Sequence, residues 1–512
     1  NQGTSAVAVG YLAGQTSQGA NAMAVGVQAG QINQDYSAVA VGQVAGESNQ
    51  GNLTTAVGYG AGRYNQGDTA TALGREAGTT SQGYSATALG NLAGALDQGT
   101  DATAVGREAG RTSQGDAAVA VGYVAGSSAQ AANAVAVGRE CGRVSQGSQS
   151  VAVGYLAGSS SQGTNAVALG RQAGLTSQGS NAVAAGYLAG QTSQGIRGVA
   201  IGPEAGQTGQ NNNSIAMGTA AGQSAQGTNS TAIGPNCGRY NQGINSVAEG
   251  RSAGETGQGD STVAVGYNAG QTGQGAQSVA VGINSGRNAQ GANAVSIGAN
   301  AGVTSQNVNS VSVGVNAGYN AQGSSAVAIG ESAGTTAQGT WAIAVGVNAG
   351  NTTQGASSIA VGVNSGYNAQ GTNSVAVGVN AGSADQGNSA VAIGDAAGLA
   401  NQGGTAVAIG YIAGYNAQGN NSIAVGHTAG YGDQGAQAVA IGYYAASGSQ
   451  GNDSIAIGRE AACASQGGSS VAIGYIAGRA DQGSSAVAIG NTTARTNQGN
   501  HCVAVGYLAG FN

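Results

Sequence analysis

The chain has 512 residues, of which 98 are glycine and 2 proline, with 7% charged residues, 41% apolar residues and a net charge of -6. Glycine does not fall at every third position and proline is nearly absent, which excludes a collagen helix. So apolar and weakly charged a chain is not a disordered one, and its composition is not that of an ordinary enzyme domain. All 14 basic residues are arginine, and none lies between Arg287 and Arg459. No basic patch for nucleic acid is expected. No apolar run approaches the roughly 18 residues of a membrane span, and no signal peptide is evident at the N-terminus.

In chain order the same pattern returns every 16 residues, and 512 divided by 16 gives 32 repeats in one continuous array, residues 1–512. The first repeat reads Asn1-Gln2-Gly3-Thr4-Ser5-Ala6-Val7-Ala8-Val9-Gly10-Tyr11-Leu12-Ala13-Gly14-Gln15-Thr16. A short period means a solenoid. Glycines at the third, tenth and fourteenth positions disfavour helix by about 1 kcal/mol each, whereas two strands of about 4 to 5 residues and two tight turns fit one coil.

The second and third positions, Gln-Gly, mark one turn. Glutamine stands at the second position of every repeat, as Gln2, Gln18, Gln34 and onward, so stacking at about 4.8 Å predicts an amide ladder. Asp35, Ala131, Asn211 and Asn307 replace the glycine, and two asparagines and an aspartate suit a left-handed residue. The sixth to ninth positions alternate small with β-branched side chains, which is strand chemistry. The large set, Val7 above Met23 and Val39, is expected inside the coil. The alanine face is expected to pack on another chain, because strands apolar on both faces are buried on both. Glycine at every tenth position, Gly10, Gly26, Gly42 and their equivalents, predicts a turn with φ > 0.

Two buried β-branched side chains contribute roughly 3 to 6 kcal/mol per coil, against about 16 kcal/mol for ordering 16 backbones. A single coil is therefore not stable, and stacking supplies the rest. The first and last repeats carry no polar cap and there is no initiator methionine. The sequence thus reads as an excerpt of a longer chain, or as one whose ends pair with other molecules.

The stretch Asn373-Ser374-Val375-Ala376-Val377-Gly378 recurs as Asn421-Ser422-Ile423-Ala424-Val425-Gly426. This motif resembles the head repeats of YadA-like trimeric autotransporter adhesins, over all 32 repeats. The resemblance implies a left-handed parallel β-roll and a homotrimer at the cell surface. The period of 16 and the Gln-Gly turn depart from that family, as does the lack of neck, stalk and membrane anchor. Fibre proteins of phages and large viruses carry similar repeats, which makes a virion fibre the related alternative.

No nucleophile, base and acid recur together, and the only histidines are His427 and His501. No enzyme activity, cofactor or metal is expected: His501 and Cys502 lack further zinc ligands, and the acids do not form a calcium-binding pattern. Cys141, Cys237, Cys463 and Cys502 lie too many coils apart to pair within the chain and read as small buried substitutes. Glu249 stands at the ninth position, expected in the core, where a carboxylate must be paired or neutral. Arg251 is the expected partner, and a ring of glutamates about a symmetry axis is the alternative. Arg-Glu steps at Arg75, Arg107, Arg139 and Arg459 read as exposed turns. Asparagines at the twelfth position, Asn268 to Asn380, suggest a second amide ladder or a polar binding strip, and tyrosines at the eleventh an outward strip for glycan, matrix protein or fibre packing. The sequence reads as an extracellular structural fibre that associates with itself, end to end or laterally, and meets a host surface or matrix. A glycan-binding or surface-binding head is the second reading; ice binding is disfavoured because the sixteenth position lacks a regular threonine array.

Overall fold

The computed structural model describes residues 2–510. Its contacts fall into two compact units, Asn1–Asp260 and Ser261–Asn512. Both are all-β, with no helix among the described residues.

In the first unit each repeat contributes a strand at its seventh to ninth positions, beginning with Val7–Val9. Each pairs in parallel with its equivalent 16 residues on, so that Val7 faces Met23, Ala8 Ala24 and Val9 Val25. A second strand spans the sixteenth position to the second of the next repeat, as in Thr16–Gln18, which pairs with Ile32–Gln34. We call these the valine and glutamine strands. In the second unit Val263–Val265 pairs with Val279–Val281 and Thr272–Gln274 with Asn288–Gln290 in the same registers. There the glutamine strands contract at Gln354, Gln370, Gln418 and Gln434 to single bridges between glutamines. The fold is therefore a parallel β-solenoid, with strands shorter than the 4 to 5 residues expected.

Two tight turns close each coil. In the first repeat the Ala13 amide donates to Gly10 O and the Ala6 amide to Gly3 O, both at 3.3 Å. Gly10, Gly26 and Gly42 have φ of 135°, 134° and 132°, as the sequence predicted. A Cβ on Gly10 would also stand 2.3 Å from Gly26 O. The third position differs from expectation. Its substitutes Asp35, Ala131, Asn211 and Asn307 are not left-handed, and glycine is favoured there because stacked turns nearly touch. A Cβ on Gly19 would lie 2.6 Å from the Asp35 carbonyl carbon. The left-handed non-glycine residues sit instead at the first, fifth and twelfth positions, as in Ser17, Asn21 and Gln28, and at the fourteenth where alanine replaces glycine, at Ala446, Ala462 and Ala494.

The interior also reverses one expectation. Ala22, Ala24 and Ala29, at the sixth, eighth and thirteenth positions, are at most 1% exposed, while Val9 and Ile329 at the ninth are 58% and 40% exposed. The alanine face lies inside and the β-branched face points outward. Two three-residue strands joined by tight turns leave a gap that methyl groups fill at close packing, and a second layer of valines would force the coil open. Among the described residues the largest fully buried side chains are glutamines.

Candidate functional site

Many of the buried glutamines join one coil to the next. Gln34 Nε2 donates to Met23 O at 2.8 Å, Ala38 O at 3.1 Å and Gln50 Oε1 at 3.1 Å. Amide-to-amide links of 3.1 to 3.3 Å run from Gln18 to Gln82, and links of 3.0 to 3.1 Å from Gln434 to Gln498. This is the predicted ladder, interrupted between runs. Gln146 and Gln162 donate to the backbone alone, and their Oε1 atoms accept nothing among the described residues. Gln2 is exposed and bridges Gln18 through the backbone. The fourteenth glycine makes room for the amide, since a Cβ on Gly30 would lie 2.7 Å from Gln34 Oε1.

Serine enters the interior where its hydroxyl finds an acceptor. Ser278 Oγ donates to Gly275 O at 2.6 Å, and Ser312 Oγ to Gln322 Oε1 at 2.7 Å. Cys141 and Cys237 occupy the thirteenth position, fully buried, and burial pushes each thiol up to about 12 from an ordinary 9.0. The other two cysteines are not buried substitutes: Cys463 is half-buried and Cys502 exposed. No cluster of three metal-binding side chains occurs among the described residues, and no helix among them is long and apolar enough to cross a membrane.

The outward side of the valine strands is apolar through the second unit and mostly so in the first, where Thr55, Thr71, Thr87, Thr103 and Thr231 stand at the seventh position. The seventh position is half-buried through most of each array and the ninth half-buried or exposed. Glu249 belongs to this ninth column and is exposed. It is not a residue of the coil interior, because the interior faces the other way. Arg251 follows two residues on, in the eleventh column at the turn.

That turn carries the ordered polar chemistry. Asn268, Asn284, Asn300 and Asn316 form the second amide ladder, with links of 3.1 to 3.2 Å. Arg75, Arg107, Arg139 and Arg459 pair with the following glutamate at 3.1 to 3.4 Å and are mostly exposed, as expected. In the second unit His427 sits between Tyr411 and Tyr443, with ring centroids 4.9 and 5.1 Å apart, and Arg459 covers both Tyr443 and Tyr475. The opposite turn is tied by asparagine and aspartate at the fourth position. Asp116 Oδ1, for example, accepts from the Thr100 amide at 2.9 Å. Sequence reasoning missed these ties, although the recurrence of Asn and Asp at one turn position was their signal.

No protein-family model matches this chain, and no curated protein matches it.

Proposed function

We propose that the chain is a structural fibre element, extracellular and without enzymatic activity, that assembles with copies of itself through the outward face of its valine strands. The observation that carries this reading is the pair of largely apolar columns at the seventh and ninth positions over sixteen coils in each unit, unbroken in the second and interrupted in the first by Thr55, Thr71, Thr87, Thr103, Thr231 and Glu249. Covering one half-exposed valine or isoleucine is worth roughly 1 kcal/mol. Two such columns over sixteen coils outweigh an association cost of roughly 4 to 15 kcal/mol. Large contiguous apolar surface of this kind marks an interaction site on a soluble protein.

The resemblance to YadA-like head repeats supports three copies, left-handed winding and an adhesin-like place on a cell surface; a virion fibre uses the same design. The buried amide ladder supports a mechanical role, because along its runs successive coils are fastened through side chains as well as backbone. The test is the solution mass of the purified chain by light scattering and sedimentation. A stable oligomer at micromolar concentration, with three copies as the expected number, agrees with the proposal. A monomer that leaves the valine face in water overturns it.

A further inference from the structure

We propose that the turn following the valine strands in the first unit, from Arg75 to Tyr187, binds a linear anionic polysaccharide bearing carboxylate or sulfate on alternate sugars. This deepens the fibre reading by naming a ligand class, and it does not depend on self-association. At the eleventh position arginine recurs on every second coil, at Arg75, Arg107, Arg139 and Arg171. Tyrosines stand on the coils between and beyond the last three, at Tyr123, Tyr155 and Tyr187.

The guanidiniums are held in place before any ligand arrives. Arg139 lies 5.8 Å from the Tyr123 ring centre and 5.4 Å from that of Tyr155, Arg107 lies 5.4 Å from Tyr123, and Arg171 5.5 Å from Tyr187. A glutamate beneath ties Arg107 and Arg139 to a second row. Glu108 meets Arg107 at 3.3 Å and Arg111 at 3.4 Å, and Glu140 meets Arg139 at 3.1 Å and Arg143 at 3.8 Å. These carboxylates are 19% exposed while the four arginine side chains are 48% to 62% exposed. An approaching ligand therefore meets cations, although the chain as a whole is acidic. Over the same coils the aspartates Asp68, Asp97, Asp101 and Asp116 all lie at or beside the other turn.

Two coils span about 9.5 Å. Each pyranose advances an extended polysaccharide by roughly one coil, so a charge on alternate sugars meets each arginine in turn. A single-stranded nucleic acid fits less well: it carries a charge at every nucleotide and needs open aromatic faces for its bases, and these tyrosine faces are covered by guanidiniums. Each contact is weak and solvent-screened, so affinity comes from engaging the row at several points at once.

The experiment is retention of the full chain on immobilised heparin, a sulfated uronate polymer, in a rising salt gradient, with immobilised dextran as the neutral control. The expected result is salt-reversible retention on heparin alone, weakened by at least about tenfold in the triple variant R107Q/R139Q/R171Q. The charge-matched variant R239Q/R287Q/R479Q, placed elsewhere, should bind as the parent does. Absence of retention by the parent, or equal weakening in both variants, overturns the proposal. Solution mass measured on the same samples separates the two readings: a monomer that still binds heparin refutes self-association only, and an oligomer that does not bind refutes this inference only.

Discussion

Glycine at the tenth position is required twice over, by its backbone angle and by the next coil, so its replacement should be costly. Gly314 has φ of 131°, and an added Cβ would stand 2.6 Å from Gly330 O. Gly273 has φ of 66°, but its nearest neighbour would be 3.8 Å away, and alanine already holds that position at Ala289 with φ of 53°. Gly314→Ala should therefore destabilise the second unit by about 3 kcal/mol or more, whereas Gly273→Ala should cost about 1 kcal/mol. Denaturant unfolding of the two variants measures the difference. Gln322→Ala removes donors to Val311 O at 2.8 Å, Ala326 O at 3.2 Å and Gln338 Oε1 at 3.1 Å. With the cavity it leaves, the expected loss is about 3 kcal/mol, seen as faster hydrogen exchange in the flanking coils. The buried thiols give a pH dependence. A thiol raised to about 12 holds its proton more tightly folded than unfolded. Its contribution is complete below the ordinary value of 9.0 and is lost as pH rises from there towards 12. Alkaline unfolding should thus begin later in Cys141→Ala/Cys237→Ala. At neutral pH a thiol reagent should label Cys502 at once and these two only after unfolding.

At the scale of the strand and turn, the sequence displayed period, strand position, amide ladder and the tenth glycine, because each follows from a residue type that serves one purpose. It did not display which face of the valine strand lies inside, since both faces are apolar and hydrophobicity alone cannot rank them. Tolerance to size was the usable signal. The ninth position accepts valine, leucine, isoleucine, methionine and, at Glu249, a carboxylate, while the eighth accepts only alanine and serine. A position that admits glutamate faces out, and one that admits nothing larger than serine lies in a narrow interior. The twelfth position shows how two demands converge on one residue: Asn300 has φ of 55° and also links Asn284 to Asn316. Asn300→Val should cost about 2 kcal/mol, since a β-branched residue resists the left-handed region and both amide links are lost. Asn300→Asp keeps the angle but cannot donate, and should fall between parent and Val in a thermal melt.

For the whole molecule, the reversal of faces decides where the proposed association would occur and how to interrupt it without damaging the coil. Ile329 and Ile393 are 40% and 39% exposed on the ninth column, while Ala328 and Ala392 beside them are fully buried. Glu249 shows that a coil accepts a carboxylate at this outward position. The variant I329E/I393E should accordingly keep its β-sheet circular dichroism and cooperative melt, yet lose the assembled mass. Two charges would have to enter an apolar contact in every copy, at a penalty of several kcal/mol each. Glu249→Val should act in the opposite sense and lower the concentration at which copies associate. Ala328→Glu places the same carboxylate inside a gap sized for a methyl group, so the coil itself should fail and the β-sheet signal with it. If I329E/I393E unfolds like Ala328→Glu, the valine face is structural within one chain. If it folds and keeps the parental mass, copies meet elsewhere. Only a folded variant of reduced mass places the interface on the valine strands.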